Sequence, residues 1–179
     1  MDQIQKLTRE DKLKWWGEGE WLDEQDEVDF VYRGYDCKIL RMKGYDGKRH
    51  DGSIHVWGGY LCGYVKIPKD HPLYGKNIFE SHYDFDVHGG ATFSQIPTWD
   101  DNFWIGFDCA HSYDIVPSME YLEKHEPALI KIKKENEELF KLLNLERNSI
   151  FDKTYRNMNF AIEECKRLVD QISKIKKEG

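Results

Sequence analysis

Near its end the chain carries one continuous apolar stripe: Tyr155, Met158, Ile162, Cys165, Val169, Ile172 and Ile175 recur at intervals of 3, 4, 3, 4, 3 and 3. That spacing keeps all seven on one side of a helix of about six turns. A helix with one apolar side needs a surface to cover it. Before it, residues 118–145 place Leu122, Leu129, Ile132, Leu139 and Leu143 at roughly helical spacing, with Pro127 breaking or restarting the helix. Residues 144–152 then form the turn between two antiparallel helices. The simplest use of the stripe is docking on a sheet or on its partner helix. Its alternative use is a self-association seam, making a homo-oligomer through the C-terminal helix.

The rest of the chain supplies such a sheet. Residues 2–16 predict a short helix ending at Trp15 and Trp16, and an acidic run follows (Asp23, Glu24, Asp26, Glu27, Asp29) that reads as a solvated connector. Residues 30–40 and 54–67 are rich in β-branched and aromatic side chains and flank a loop with three glycines, which predicts a long antiparallel hairpin. Residues 81–88 and 103–109 read as two more strands. The expected class is therefore α+β: an N-terminal helix, a mainly antiparallel sheet and a C-terminal antiparallel helical hairpin packed on it. The expected organisation is a β-rich part, 1–117, and a helical part, 118–179, within one globular unit.

Charge divides along the same line. The formal net charge is −7, and residues 1–117 carry 13 basic against 21 acidic side chains, so the helical remainder is close to neutral. The acidity argues against a nucleic-acid binder, which needs a basic face. No apolar stretch is long enough to cross a membrane, and the first residues do not read as a signal peptide. Four cysteines without a CxxC pair read as reduced thiols of a cytoplasmic chain. One locally basic piece, residues 38–50, includes Lys48 and Arg49 and reads as a solvated hairpin tip, with a place for phosphate as the alternative.

The chemistry-bearing residues gather at the ends of the last two predicted strands. In 81–88, His82, Asp84, Asp86 and His88 alternate with Tyr83, Phe85 and Val87, so the ionisable groups share one face. In 103–109, Trp104, Gly106 and Asp108 share a face, and Gly106 would leave room for a ligand if the two strands are neighbours. His88 runs into Gly89, Gly90 and Thr92, where the backbone can approach a ligand closely. Asp108 runs into His111 and Asp114. Two histidines with carboxylates suit either a divalent metal (Zn, Mn or Fe) held by His88, Asp108, His111, Asp86 and Asp114, or an acid–base pair in which a carboxylate orients an imidazole. In either case His88, Asp108 and His111 are the candidate catalytic residues. Gly89, Gly90, Thr92, Trp104, Lys48 and Arg49 are the candidate ligand contacts.

Four stretches together resemble a family of small phage- and prophage-encoded proteins: Gly59-Tyr60-Leu61-Cys62-Gly63-Tyr64-Val65, His71-Pro72-Leu73-Tyr74-Gly75, Val87-His88-Gly89-Gly90-Ala91-Thr92-Phe93 and Trp104-Ile105-Gly106-Phe107-Asp108-Cys109-Ala110-His111. The resemblance covers roughly residues 15–175 and implies an accessory protein at work in the cytosol of an infected bacterium. It brings no catalytic role. Ser112-Tyr113-Asp114 departs from it, since a small residue or glycine is expected before the aspartate. The leading expectation is a hydrolase acting on a small phosphorylated ligand such as a nucleotide or cyclic-nucleotide signal. The alternatives are a protein that sequesters such a signal unchanged, and an inhibitor that binds a host protein through the acidic N-terminal region.

Overall fold

The computed structural model describes residues 7–48, 52, 54–80, 83–142 and 153–176. The first predicted helix is present as α1 (Arg9–Trp16), started by a capping box in which the Thr8 hydroxyl accepts from the Asp11 N–H and the Asp11 carboxylate accepts from the Thr8 N–H. A five-stranded antiparallel sheet follows, with strands in the order β1 (Glu27–Tyr32), β2 (Tyr35–Lys48), β3 (Ile54–Lys66), β5 (Trp104–Asp108) and β4 (Phe93–Gln95). Among the described residues three helices follow: α2 (Pro117–His125), α3 (Pro127–Leu142) and α4 (Met158–Ile172). The α+β class and the antiparallel sheet are as the sequence predicts. The predicted turn at 144–152 lies outside the described residues.

The β2–β3 hairpin is the predicted one, but its first arm divides. Arg33 and Gly34 both adopt positive φ, 49° and 82°, the combination a two-residue hairpin turn demands, and so create β1. The stripe of α4 is spent on the sheet: Ala161, Cys165, Leu168, Val169 and Ile172 share a core with Cys37 and Ile39 of β2, Leu61 and Val65 of β3, and Ile105 and Phe107 of β5. Those strand residues alternate, so each strand turns one face to α4. The stripe is therefore a docking face, and the self-association seam expected of the C-terminal helix is not available on it.

The opposite face is covered as well. Leu40, Cys62, Tyr64 and Trp104 form a second buried cluster under Phe93 and Trp99, and the Trp104 indole N–H donates to Asp100 at 2.8 Å. The space expected beside Gly106 is filled, because the Tyr64 ring of the neighbouring strand lies across it. A Cβ on Gly106 would stand 2.6 Å from that ring and 2.5 Å from the Gly63 carbonyl oxygen. Gly106→Ala is thus expected to cost roughly 1–3 kcal/mol, since a backbone oxygen cannot step aside. A fall in the urea midpoint with an unchanged slope checks this.

The acidic run is a solvated connector only in part. Glu24 and Asp26 turn inward onto Arg41, whose side chain is 0% exposed, and onto buried Lys12. Arg41 donates from Nη2 to Glu24 (2.8 Å), from Nε to Asp26 (2.9 Å), and from Nη1 to the Gly59 carbonyl (2.7 Å) and the Tyr155 hydroxyl (2.8 Å). The Tyr155 hydroxyl donates in turn to Glu24, and the second Glu24 oxygen accepts the first N–H of α4, from Met158. One carboxylate thereby ties the N-terminal segment to β2 and caps α4, where a negative charge also suits the helix dipole. Of this run Asp23, Glu27 and Asp29 keep to the surface, Asp23 pairing with Arg9 and the other two with Lys38 across the hairpin.

Among the described residues no helix is long and apolar enough to cross a membrane.

Candidate functional site

The site forms at the end of β5, where the chain leaves the sheet. The segment before it, 83–88, is not a strand. Its alternation holds from Asp84 on, with Phe85 and Val87 buried and Asp84 and Asp86 exposed, though Tyr83 is exposed too, and among the described residues no strand pairs with it. Side chains of α4 satisfy its backbone instead. Gln171 accepts the Asp86 N–H at 2.8 Å and donates to the Asp86 carbonyl at 3.1 Å, much as a neighbouring strand would. Glu164 accepts the His88 N–H at 2.7 Å. Ser81 and His82 lie outside the described residues. The two segments are therefore not neighbours in the sheet, because β4 occupies that edge of β5.

His88 and Asp114 nevertheless meet. The His88 Nε2 lies 2.7 Å from the Asp114 Oδ2, and the Asp114 side chain is 0% exposed. The same Oδ2 accepts the His111 N–H at 2.9 Å, while Oδ1 accepts from Arg156 Nε at 2.9 Å. Burial raises the pKa of Asp114, but the hydrogen bonds from His88, Arg156 and the His111 backbone outweigh it and hold the carboxyl below its ordinary value. A carboxylate accepts and cannot donate, so His88 carries its hydrogen on Nε2 and, when neutral, keeps its lone pair on Nδ1. The ring is braced on its flank by Phe160, edge-on at 5.2 Å between centroids.

The depressed pKa links the pair to stability. An acid whose folded pKa lies below its unfolded value, about 3.9 for Asp, stabilises the fold above that unfolded value. The contribution disappears as pH falls through the folded pKa. Acid unfolding of the native chain is therefore expected to steepen below about pH 4, and less so for Asp114→Asn, measured by tryptophan fluorescence across an acid titration.

His111 lies between this pair and Asp108. Its ring centroid is 5.2 Å from that of His88, and its Nε2 is 3.8 Å from Asp108 Oδ1, too far for a hydrogen bond. That Nε2 is buried and has no hydrogen-bond partner among the described residues. Leaving such an atom unsatisfied costs about 1–3 kcal/mol, which a bound polar group would offset. The ring rests directly on Gly89, where φ is +66° and a Cβ would fall 1.6 Å from Nε2. Only glycine fits there, for its φ and for the ring above it. Gly90, also at positive φ, completes the turn and donates its N–H to Val87. Thr92 is exposed, its N–H spent on the Gly106 carbonyl. Asp108 caps its own turn by accepting the Ala110 N–H at 3.0 Å. Its charge also adds to burial and Cys62 in pushing Tyr60 up to about 12.

Of the residues expected to act together, His88, His111, Asp108 and Asp114 converge. Asp86 does not: it is exposed and holds Arg167 at 3.0 Å. Trp104 is buried under Trp99 on the other face of the sheet and meets no open site. Lys48 pairs with Ile54, eight residues along β3 from the Cys62 that faces Asp108; at about 3.3 Å per residue that is roughly 26 Å away. Arg49 lies outside the described residues. Asp114 and His88 Nε2 are committed to one another, and among the described residues no group of three His, Cys, Asp or Glu is placed to hold a metal ion.

The positive charge comes instead from residues that sequence reasoning overlooked. Arg156, just ahead of α4, has only its Nε committed among the described residues, and its guanidinium stacks on Phe160 at 4.8 Å. Arg167 bridges Glu164 and Asp86. Glu164 is a buried carboxylate inside the helix, and that is the one signal the sequence offered: a charge flanking Cys165 of the apolar stripe. No protein-family model, no curated protein and no solved structure matches this chain.

Proposed function

We propose that the chain is a hydrolase of a small phosphorylated molecule of nucleotide type, with His88 as its acid–base group. The observation that carries this reading is the 2.7 Å contact between His88 Nε2 and the buried Asp114 carboxylate. Fixing one ring nitrogen on a carboxylate that cannot turn away leaves the other, Nδ1, as an oriented base. Nδ1 takes a proton from water as its oxygen forms a bond to phosphorus. The same proton passes to the leaving oxygen as the old P–O bond breaks. Arg156, anchored at Nε by Asp114, keeps two amino groups to meet phosphoryl oxygens, a role in which a planar fork excels. His111 covers Gly89, and the open side of Gly90 lets the ligand come close to the backbone. Arg156 takes the place that residues 38–50 held in the sequence reading, and the phage-type accessory role is proposed with it.

The test is incubation with a panel of bacterial mono-, di- and cyclic nucleotides, followed by denaturation and mass analysis of what is released. Converted product supports the proposal. Intact, stoichiometric ligand means sequestration, and release of nothing from any mixture removes nucleotides as the ligand class.

A further inference from the structure

Beside its apolar stripe α4 carries a second one. Phe160, Glu164, Arg167 and Gln171 recur at intervals of 4, 3 and 4, which sets them on one side of the helix. That side meets residues 86–88. The Phe160 ring stands edge-on to the His88 imidazole, and Glu164 accepts the His88 N–H at 2.7 Å. Arg167 donates to the Asp86 carboxylate at 3.0 Å, and Gln171 holds the Asp86 backbone. Glu164 is the one charged residue buried within α4. Its side chain is 9% exposed, and its second oxygen is taken by Arg167 at 2.8 Å.

A carboxylate taken out of water needs a partner for each oxygen, and here one oxygen is spent on a single backbone N–H. That N–H belongs to the residue ahead of Gly89 and Gly90, which sit at φ +66° and +78°, and among the described residues no strand pairs with this stretch. The His88 ring is thus fixed from the loop after β5, by Asp114, while its backbone is fixed from α4. Given the acid–base reading of His88, on which this rests, we infer that Glu164 is its positioning residue. Glu164 holds the backbone from which the imidazole reaches Asp114, and so sets where Nδ1 points. Displacing a reacting group by about 1 Å costs up to about 100-fold in rate. The loss belongs in kcat rather than KM, since both Glu164 oxygens are already engaged within the chain.

Glu164→Ala should lower kcat on the substrate found in the nucleotide panel by about 10–100-fold and leave KM within about two-fold. Two signals should change with it and need no substrate. The His88 amide hydrogen should exchange about 10-fold faster or more. The His88 ring nitrogens should move toward the averaged resonances of a freely exchanging imidazole. Glu164→Gln keeps an oxygen for the same N–H, so it should restore both signals and bring kcat to within about five-fold of the native value. Gln171→Ala, which frees the same segment at Asp86 but not at His88, should leave all three as in the native chain. Circular dichroism reports the fold; if Glu164→Ala loses it, Glu164→Asp, shorter by one methylene, takes its place with the same expectations. A native His88 amide and ring in Glu164→Ala, a glutamine variant no better than the alanine one, or equal losses in Gln171→Ala would overturn the inference. A native chain that converts no nucleotide removes the hydrolase reading instead, and the exchange and ring signals still decide what Glu164 holds.

Discussion

Arg41→Met is expected to cost about 3–5 kcal/mol of folding stability, the usual consequence of leaving buried carboxylates without their cation. For a chain of this size that corresponds to a fall in Tm of roughly 10 °C or more. The reason lies in what the guanidinium touches: Glu24, Asp26, the Gly59 carbonyl and the Tyr155 hydroxyl converge on it from the N-terminal segment, β3 and the approach to α4. Arg41→Lys keeps the charge but loses the fork, so it should fall between Met and the native chain. Lys38→Ala, which removes pairs at the solvent edge of the hairpin, should cost less than about 1 kcal/mol. Thermal unfolding of the three variants, followed by circular dichroism, measures the order. Equal losses for Arg41→Met and Lys38→Ala would mean that the inward turn of Glu24 and Asp26 does not support the fold.

His88→Ala is expected to lower kcat for the phosphorylated substrate by about 10²–10⁴-fold, the range a positioned acid–base group supplies. Asp114→Asn should fall nearly as far with the histidine still present. All three side-chain and backbone neighbours of that carboxylate are donors, His88 and the His111 N–H on Oδ2 and Arg156 on Oδ1. An amide must therefore turn its NH2 group against one of them. Facing His88, it stabilises the tautomer with the hydrogen on Nδ1, which has no lone pair there to take a proton. Steady-state kinetics on the substrate identified from the nucleotide panel checks both variants. Full activity in His88→Ala would place the chemistry elsewhere.

Much of the architecture was legible because it depends on local period. The α4 stripe and the β2–β3 hairpin are each one pattern repeated over many residues, and burial enforces it. Residues 83–88 show the limit of that signal. Alternation reports that Phe85 and Val87 are buried, yet it carries no information about what accepts the backbone N–H groups, and here Gln171 and Glu164 do so from α4. The acidic run misled for a related reason. Its partner, Arg41, stands in an apolar strand 15 and 17 residues from Asp26 and Glu24, and nothing in the run itself announces a buried cation. At the site, His88, Asp108, His111 and Asp114 could be collected from two neighbouring stretches of sequence. Arg156 arrives from 42 residues beyond Asp114, a pairing that only the docking of α4 creates.

Asp114 holds His88 with Nε2 protonated and Nδ1 free to react. Long-range ¹H–¹⁵N correlation on histidine-labelled protein reads this directly, at about pH 8 so that a free imidazole would be neutral. Expected are a protonated Nε2 and a bare Nδ1 at His88, a shift of weight toward the Nδ1–H tautomer in Asp114→Asn, and movement of the Nδ1 resonance when the phosphorylated ligand is added. A His88 with its hydrogen on Nδ1, or a ring whose tautomer and shifts are the same in Asp114→Asn, would contradict it.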